Sequence, residues 1–364
     1  MISGSKVPSL LLVALLAAAA LSLLSGLYSG LARLGYTGIL PRLADDINIA
    51  YLHGPLMINT FLGTLISLER AAALQHGWTF GAPIFILIGT LTFLAGSTAL
   101  GSFCLLAGSL ILAAILLKLC RMQAVPHHFI LLGGGLSLAT GNLLLISGYP
   151  ISELVLWWAA FPMLTIFGER LELNRIMRPP RRAQHLFLVL IVLWVACLVY
   201  IHINRNLAWV FGSLLLLLIA LWLIRYDVAR RTIKSTQWTR YSAISLLAGY
   251  IWIVITGISG LFYPLSYAGP IYDALLHMLF VGFVFSMIFA HAAIMIPSLA
   301  GRWVPWHPYF YLPLVLLHGF LGIRIIGDFI MHPVLRITGS YGNVLAILLF
   351  LGGIFYGVVI RNKN

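Results

Sequence analysis

Long apolar segments joined by short connections constrain this chain more than any other feature of its sequence. Twelve segments are long enough to cross a bilayer as helices, since about 20 apolar residues span its hydrocarbon core. They are residues 7–27, 51–68, 80–99, 102–119, 128–147, 152–168, 185–203, 207–224, 241–262, 274–297, 308–328 and 341–360. Charged residues make up only 9% of the chain, too few to cover a soluble domain. The sequence therefore predicts an all-α polytopic membrane protein, with residues 1–364 forming a single transmembrane domain.

The distribution of lysine and arginine predicts how the chain crosses the membrane. With the N-terminus inside, 17 of the 22 cations fall on the cytoplasmic side, four fall outside, and Arg324 lies within a span. The four outside are Arg33, Arg42, Arg205 and Arg336. Cytoplasmic loops are enriched in these residues, so we expect both termini to be cytoplasmic in a bacterial inner membrane. The net charge of +13 is then a signal of topology and gives no reason to expect nucleic-acid binding.

Two further features concern the organisation of the spans. Segment 7–27 has features of a signal peptide, but its apolar run is long, so we expect it to remain as an anchor. Segment two ends in "TLISLER" and segment six, four helices later, ends in "LTIFGER". A charged pair at the cytoplasmic end of each span would also explain this similarity. The match also fits a ring of twelve helices built from three related parts of four helices each.

Two histidines enter the membrane at the same predicted depth. His53 in segment two and His277 in segment ten both lie about one helical turn, roughly 5 Å, below the outer face. Two protein ligands are too few for structural zinc, but they are the right number for a six-coordinate haem iron. The alternative is that each imidazole only hydrogen-bonds a neighbouring helix.

Two other histidines lie deeper within spans. His291 follows His277 by fourteen residues on nearly the same helix face, about 21 Å further along, and His318 lies in the middle of segment eleven. They are candidates for a second metal site or a polar path through the membrane. Hydrogen-bonded core histidines are the alternative for both residues.

The sequences around His53 and His277 resemble those of a known superfamily. "HGPLMINTF" looks like the start of helix two in subunit I of haem-copper oxidases, and "DALLHMLFVGFVFSMIFAHAAIMIP" is similar to helix ten of that subunit. The same stretches resemble the NnrS family, haem- and copper-containing membrane proteins of denitrifying bacteria. The resemblance implies that His53 and His277 are the axial ligands of a low-spin haem, which we expect to be b-type.

The chain departs from the oxidase pattern at the oxygen-reducing centre. Leu275 stands where the H-x-H motif of helix ten would place the ligand of the second haem. Segment six reads "LWWAAFPMLTIFGER" and lacks the H-P-E-x-Y motif that supplies a copper ligand and the cross-linked tyrosine. Copper therefore has no support from the sequence, and we do not expect a proton-pumping oxidase.

Two arginines are candidates for holding the haem propionates. In the oxidases, arginines between helices eleven and twelve have this role, and Arg324 and Arg336 fall in the corresponding region. Arg324 also has Asp328 four residues further on, where an ion pair within one helix is the alternative.

Three functions follow as hypotheses, and whether the chain is an enzyme is left open. The first is a haem protein for electron transfer or for response to nitric oxide or another diatomic gas, with a redox partner in or near the membrane. The second is a cofactor-free secondary transporter of twelve helices. The third is a structural subunit of a respiratory complex.

Overall fold

The computed structural model describes residues 9–35 and 49–359. Four cations counted in the topology prediction, Lys6, Arg42, Arg361 and Lys363, lie outside the described residues. The described residues form helices and connections without β-strands, so the all-α prediction is confirmed for them.

Helices follow one another along the chain with short connections. The α-helices are α1 (Ser9–Ala32), α2 (Gly63–Leu74), α3 (Gly81–Leu94), α4 (Thr98–Met122), α5 (Pro126–Ile146), α6 (Ile151–Leu173), α7 (Arg181–Tyr200), α8 (Arg205–Tyr226), α9 (Ala229–Thr232), α10 (Gln237–Phe262), α11 (Pro270–His277), α12 (Phe285–Ala300), α13 (Tyr311–Phe329) and α14 (Pro333–Val359). Two π-helices interrupt this series: the first π-helix, Pro55–Leu62, precedes α2, and the second π-helix, Met278–Val284, joins α11 to α12.

Eleven helices of the described part are long and apolar enough to cross a membrane. They cover every predicted span except 51–68, and α11, the second π-helix and α12 together make one of them. The region of the missing span is helical from Ile49 to Leu74, but it changes from 3₁₀ to π to α geometry. The chain is therefore a polytopic membrane protein, while the count of twelve and the three four-helix repeats stay predictions.

The backbone divides into two compact units, residues 1–168 and residues 169–364. That the chain forms a single transmembrane domain stays a prediction.

In the first unit, α1 packs on the first π-helix, and α3, α4 and α5 pack on one another in sequence. Leu52, Leu56, Ile86, Phe93 and Leu105 form a buried apolar cluster that joins the start of the first π-helix to α3 and α4. Burial of this apolar surface fixes the position of the segment that carries His53.

A buried polar network also links helices of the first unit. The Asn142 amide of α5 donates to the Leu105 carbonyl at 3.1 Å, and its oxygen accepts from the Trp158 indole at 3.0 Å. The ring of Trp158 packs so closely on Gly141 that a methyl group at residue 141 would overlap it. These contacts satisfy polar groups that would otherwise be costly inside a membrane.

The second unit contains two sets of packed helices. Helix α8 packs against α7 and α10, and α10 also packs along the second π-helix and α12. Helices α13 and α14 form an extensive antiparallel pair, in which Gly339 and Gly342 of α14 approach Arg324 and Phe320 of α13. Small residues at such contacts let membrane helices approach closely. Helix α13 in turn packs on α11, which carries His277.

Candidate functional site

His53 lies at the entry to the first π-helix and is held by α1. Its Nδ1 is 2.8 Å from the carbonyl oxygen of Gly26. Because a carbonyl can only accept, Nδ1 is the nitrogen that carries the proton in neutral His53, and the ring lone pair lies on Nε2. This is the arrangement by which metal-binding histidines are oriented, with one ring nitrogen bonded to the protein and the other directed to the metal.

Two glycines of α1 make room for this segment. A Cβ at Gly30 would lie 2.8 Å from Cε1 of His53, and a Cβ at Gly26 would lie 2.5 Å from the sulfur of Met57. The two glycines are four residues apart, the spacing that places small residues on one face of a membrane helix. The α1 face formed by Gly26 and Gly30 therefore sets the position of the His53 ring.

The first π-helix begins two residues after His53. The amide of Gly63 donates to the carbonyl of Ile58, five residues earlier, which is the π pattern. Pro55, at the first position, has no N–H to continue an α-helical ladder. The proline is a local reason for the irregular geometry, and it is a sequence signal from which a break in this span could have been predicted.

His277 lies immediately before the second π-helix. Its Nδ1 is 2.7 Å from the backbone carbonyl oxygen of Asp273 and 3.6 Å from the carboxylate of the same residue. As in His53, the carbonyl assigns the proton to Nδ1 and the lone pair to Nε2. The amide of Phe285 donates to Phe280 five residues earlier, so the following turns have the π pattern. No proline marks this π-helix, and sequence reasoning missed it.

The carboxylate of Asp273 is the centre of a buried charge cluster, formed by Asp273, Arg324, Asp328 and Arg336. Oδ2 of Asp273 accepts from Nη2 of Arg324 at 2.6 Å and from Nη2 of Arg336 at 3.1 Å. Asp328 is fully buried, and its carboxylate lies 3.8 Å from Nε of Arg324 and 3.0 Å from Nε of Arg336. Two guanidinium groups and two carboxylates thus compensate one another in charge.

This charge cluster changes the role expected for the two arginines. Arg324 makes both the predicted ion pair with Asp328 and a shorter contact with Asp273, and Arg336 joins the same two carboxylates. The contacts of Asp328 with the two arginines are ion pairs without hydrogen bonds. The Nε atoms of Arg324 and Arg336 and the carboxylate oxygens of Asp328 are close, but their geometry does not meet that of a hydrogen bond. A haem propionate at Arg324 or Arg336 would have to compete with carboxylates already in place.

His291 contacts a buried arginine. Nη2 of Arg170 lies 2.7 Å from Nε2 of His291, while Nδ1 of His291 lies 2.6 Å from the carbonyl oxygen of Met287. A guanidinium can only donate, so the ring accepts at Nε2 and donates at Nδ1. A metal ion at Nε2 of His291 would have to displace the guanidinium of Arg170, so this contact favours the hydrogen-bonding alternative.

Arg170 also lies beside two other buried groups of the second unit. Asp227, which follows α8, and Tyr250 of α10 both interact electrostatically with Arg170. Burial raises the pKa of Asp227, and the positive charge of Arg170 and a hydrogen bond from the Ala229 amide only partly oppose that shift. Sequence reasoning missed this group of Arg170, Asp227, Tyr250 and His291, because its four members come from separate helices or helix ends.

His318 is engaged by a tryptophan. The indole N–H of Trp252 in α10 donates to Nδ1 of His318 at 2.9 Å. An indole nitrogen is a donor only, so neutral His318 carries its proton on Nε2. The lone pairs of His291 and His318 thus both accept hydrogen bonds from side chains. The described residues contain no group of three or more histidine, cysteine, aspartate or glutamate side chains placed to hold a metal ion.

Comparison with known proteins places the chain in a family. The model of the family described as Domain of unknown function (DUF8744) matches residues 12–359. The chain belongs to this family. The match runs through both compact units and includes both π-helices and both histidines that precede them. No curated protein matches the chain.

Proposed function

We propose that this member of the DUF8744 family is a haem-binding membrane protein in which His53 and His277 are the axial ligands. The observation that carries the proposal is that both rings lie just before a π-helix and have the same tautomer. In each, Nδ1 bonds a backbone carbonyl and the lone pair lies on Nε2. Haem iron is bound by neutral imidazole through one nitrogen, and the other nitrogen is commonly fixed in this way.

The surroundings of both rings support the proposal. Each histidine lies within two residues of the start of a π-helix, a rare geometry that is found frequently at functional sites. The motifs that contain His53 and His277 are also those that resemble the second and tenth helices of the haem-copper oxidases. Helix geometry and sequence motif therefore both point to His53 and His277, and the tautomer of each ring is compatible with iron binding through Nε2.

The chain's own residues would orient and tune the ligands. Gly26 and Gly30 of α1 position the ring of His53, while Asp273 accepts from His277 through its carbonyl and holds a carboxylate 3.6 Å from Nδ1. A hydrogen-bonded Nδ1 makes Nε2 a better donor to iron. Bound haem would supply one-electron redox chemistry. Arg324 and Arg336 would keep the region electrically balanced through Asp273 and Asp328.

Electron transfer is the activity that two histidine ligands favour, because both axial positions are then filled. Response to nitric oxide would require one ligand to leave. We expect that ligand to be His53, since its Nδ1 partner belongs to another helix, α1. His277 is instead anchored to its own helix and to the charge cluster around Asp273.

A secondary transporter without a cofactor is a second candidate function. Transporters often bind substrates at discontinuous helices, and both π-helices interrupt α-helical segments. The buried charge cluster of Asp273, Arg324, Asp328 and Arg336 would be a natural place for coupled ion binding.

An optical spectrum of the purified protein separates the two functions. The protein should be expressed in a host supplied with haem, purified in detergent, and measured oxidised, dithionite-reduced, and reduced with nitric oxide. Haem binding predicts a Soret band and sharp reduced α and β bands typical of low-spin iron. A nitric oxide-induced shift would indicate that one histidine is exchangeable. A colourless protein would overturn the haem proposal and leave the transporter.

A further inference from the structure

Two basic connections of the second unit lie together at one end of its helices. One joins α6 to α7 and the other joins α8 to α10. The indole N–H of Trp222 in α8 donates to the carbonyl of Ala183 in α7 at 2.8 Å, and its ring stacks on Phe187 at a centroid distance of 4.1 Å. These contacts fix the end of α8 beside the start of α7, so the two connections form one surface.

This surface, here called the basic face, has a strong excess of positive charge. Its exposed cations are Arg175, Arg178, Arg181, Arg182, Arg225, Arg230, Arg231, Lys234 and Arg240. The carboxylates between residues 169 and 240 are Glu169, Glu172 and Asp227, and Asp227 is fully buried beside Arg170. The basic face carries more positive charge than the end of α4 and its connection to α5, where the cations are Lys118 and Arg121.

Two helices begin at the basic face with cations in their first turn. Arg181 and Arg182 open α7, and Arg240 lies in the first turn of α10. The residues that precede these helices, Pro180 and Thr236, make no side-chain capping hydrogen bond. The positive end of a helix dipole disfavours a cation, so an external anion would relieve both helix ends.

Aromatic side chains mark the depth of the basic face. Trp238, two residues before Arg240, packs edge-on against Trp306 and Tyr241 at centroid distances of 5.1 and 5.4 Å. Its indole N–H donates to the carbonyl of Val304 at 2.9 Å. Tryptophan and tyrosine concentrate at the level of lipid headgroups. The cations of the basic face therefore lie where phosphate groups of the bilayer are found.

We propose that the basic face binds the headgroups of anionic phospholipids such as phosphatidylglycerol and cardiolipin. Charge complementarity selects an anion, and the neighbouring aromatic side chains select an anion within the bilayer over a soluble acidic protein. Each cation near an anionic surface strengthens binding by roughly fivefold. The inference does not depend on the haem proposal.

The test compares lipids of opposite headgroup charge on the purified full-length protein. A ligand that binds the native state raises its thermal midpoint, so the midpoint is measured with added phosphatidylglycerol, cardiolipin or phosphatidylcholine. Native mass spectrometry counts the bound lipids in the same samples. The test variant carries R181Q, R182Q, R230Q and R231Q, all at exposed positions. The matched control carries R33Q, K118Q, R121Q and R205Q and loses the same charge away from the basic face.

The basic face predicts that anionic lipids raise the midpoint of the wild type and of the control more than phosphatidylcholine does. The test variant should bind anionic lipids at least about tenfold more weakly. High salt should reduce the preference of the wild type, which provides a readout that does not depend on folding of the variants. No preference in the wild type, or an equal preference in the test variant, would overturn the proposal.

Discussion

The two histidines proposed as haem ligands have the same tautomer and precede the same kind of helix, but they are supported differently. His53 depends on a neighbouring helix, through the Gly26 carbonyl and close packing on Gly30. His277 depends on its own helix and on Asp273, which two arginines hold in place. The ring of His53 is therefore positioned mainly by close packing on the backbone of α1, and the ring of His277 by buried charge. Different substitutions should affect the two rings.

The largest effect is expected from breaking the charge that supports His277. Asp273→Ala would remove the carboxylate that lies closest to the buried guanidinium of Arg324. Arg336 would lose one of its two carboxylate partners and keep only Asp328. Removing one partner of a buried ion pair costs about 3–5 kcal/mol. We expect a loss of this size in the free energy of unfolding, measured in detergent by denaturant titration.

Asp273→Asn and Glu153→Ala are the controls for this variant. The amide retains an acceptor for the arginines and should cost less than the alanine, whereas Glu153 lies outside the charge cluster, in the first turn of α6. The charge cluster would have no stabilising role if Asp273→Ala were no more destabilising than Glu153→Ala.

A smaller effect is expected from the packing that supports His53. Gly30→Ala would place a methyl group 2.8 Å from the His53 ring, and overpacking of this kind costs about 1–3 kcal/mol. The ring should move, so the variant should also lose haem or change its spectrum. Gly322→Ala is the matched control, because a methyl group at that position of α13 meets nothing within 4 Å. Equal spectra and stabilities for the two variants would contradict the proposed packing.

The third prediction sharpens the comparison by testing a histidine that we do not assign to the haem. His291→Ala removes the acceptor of the buried Arg170 guanidinium, and an unsatisfied buried donor costs about 1–3 kcal/mol. We expect lower stability but an unchanged low-spin spectrum. His291→Gln retains an acceptor and should recover part of the stability. Loss of the low-spin spectrum in both variants would instead make His291 part of the haem site.

The smallest effect concerns Asp227, which lies far along the chain from both ligands. Burial raises its pKa above the ordinary value of 3.8, so the folded state binds a proton more readily than the unfolded state. Its contribution to stability is complete below the ordinary pKa and is lost as the pH rises through the raised value. Asp227→Asn should flatten the fall in stability across this window, measured by thermal midpoints from pH 4 upwards. An unchanged pH profile would exclude this titration.

Hydropathy alone predicted the fold class, because a span must be apolar along its length wherever its neighbours lie. Sequence motifs within the spans also pointed to His53 and His277. The four-residue spacing of Arg324 and Asp328 predicted their contact within α13. Local patterns of this kind are readable because the interacting residues are close in sequence.

Contacts between distant helices could not be read in the same way. Arg170 and His291 are 121 residues apart, and their contact depends on how α6 and α12 rotate and pack. The sharing of Asp273 by Arg324 and Arg336 depends on α11, α13 and α14 together. The second π-helix could not be predicted from the sequence, since its residues are as apolar as those of an ordinary span.

The most direct test of the proposed function is the haem-to-protein ratio of three purified single variants, His53→Ala, His277→Ala and His76→Ala, beside the wild type. His76 lies exposed in a connection and controls for loss of a histidine as such. We predict that the wild type and His76→Ala retain low-spin haem, while His53→Ala and His277→Ala each lose most of it. Retention of low-spin haem in both of the latter variants would contradict the assignment of these two histidines as the axial ligands.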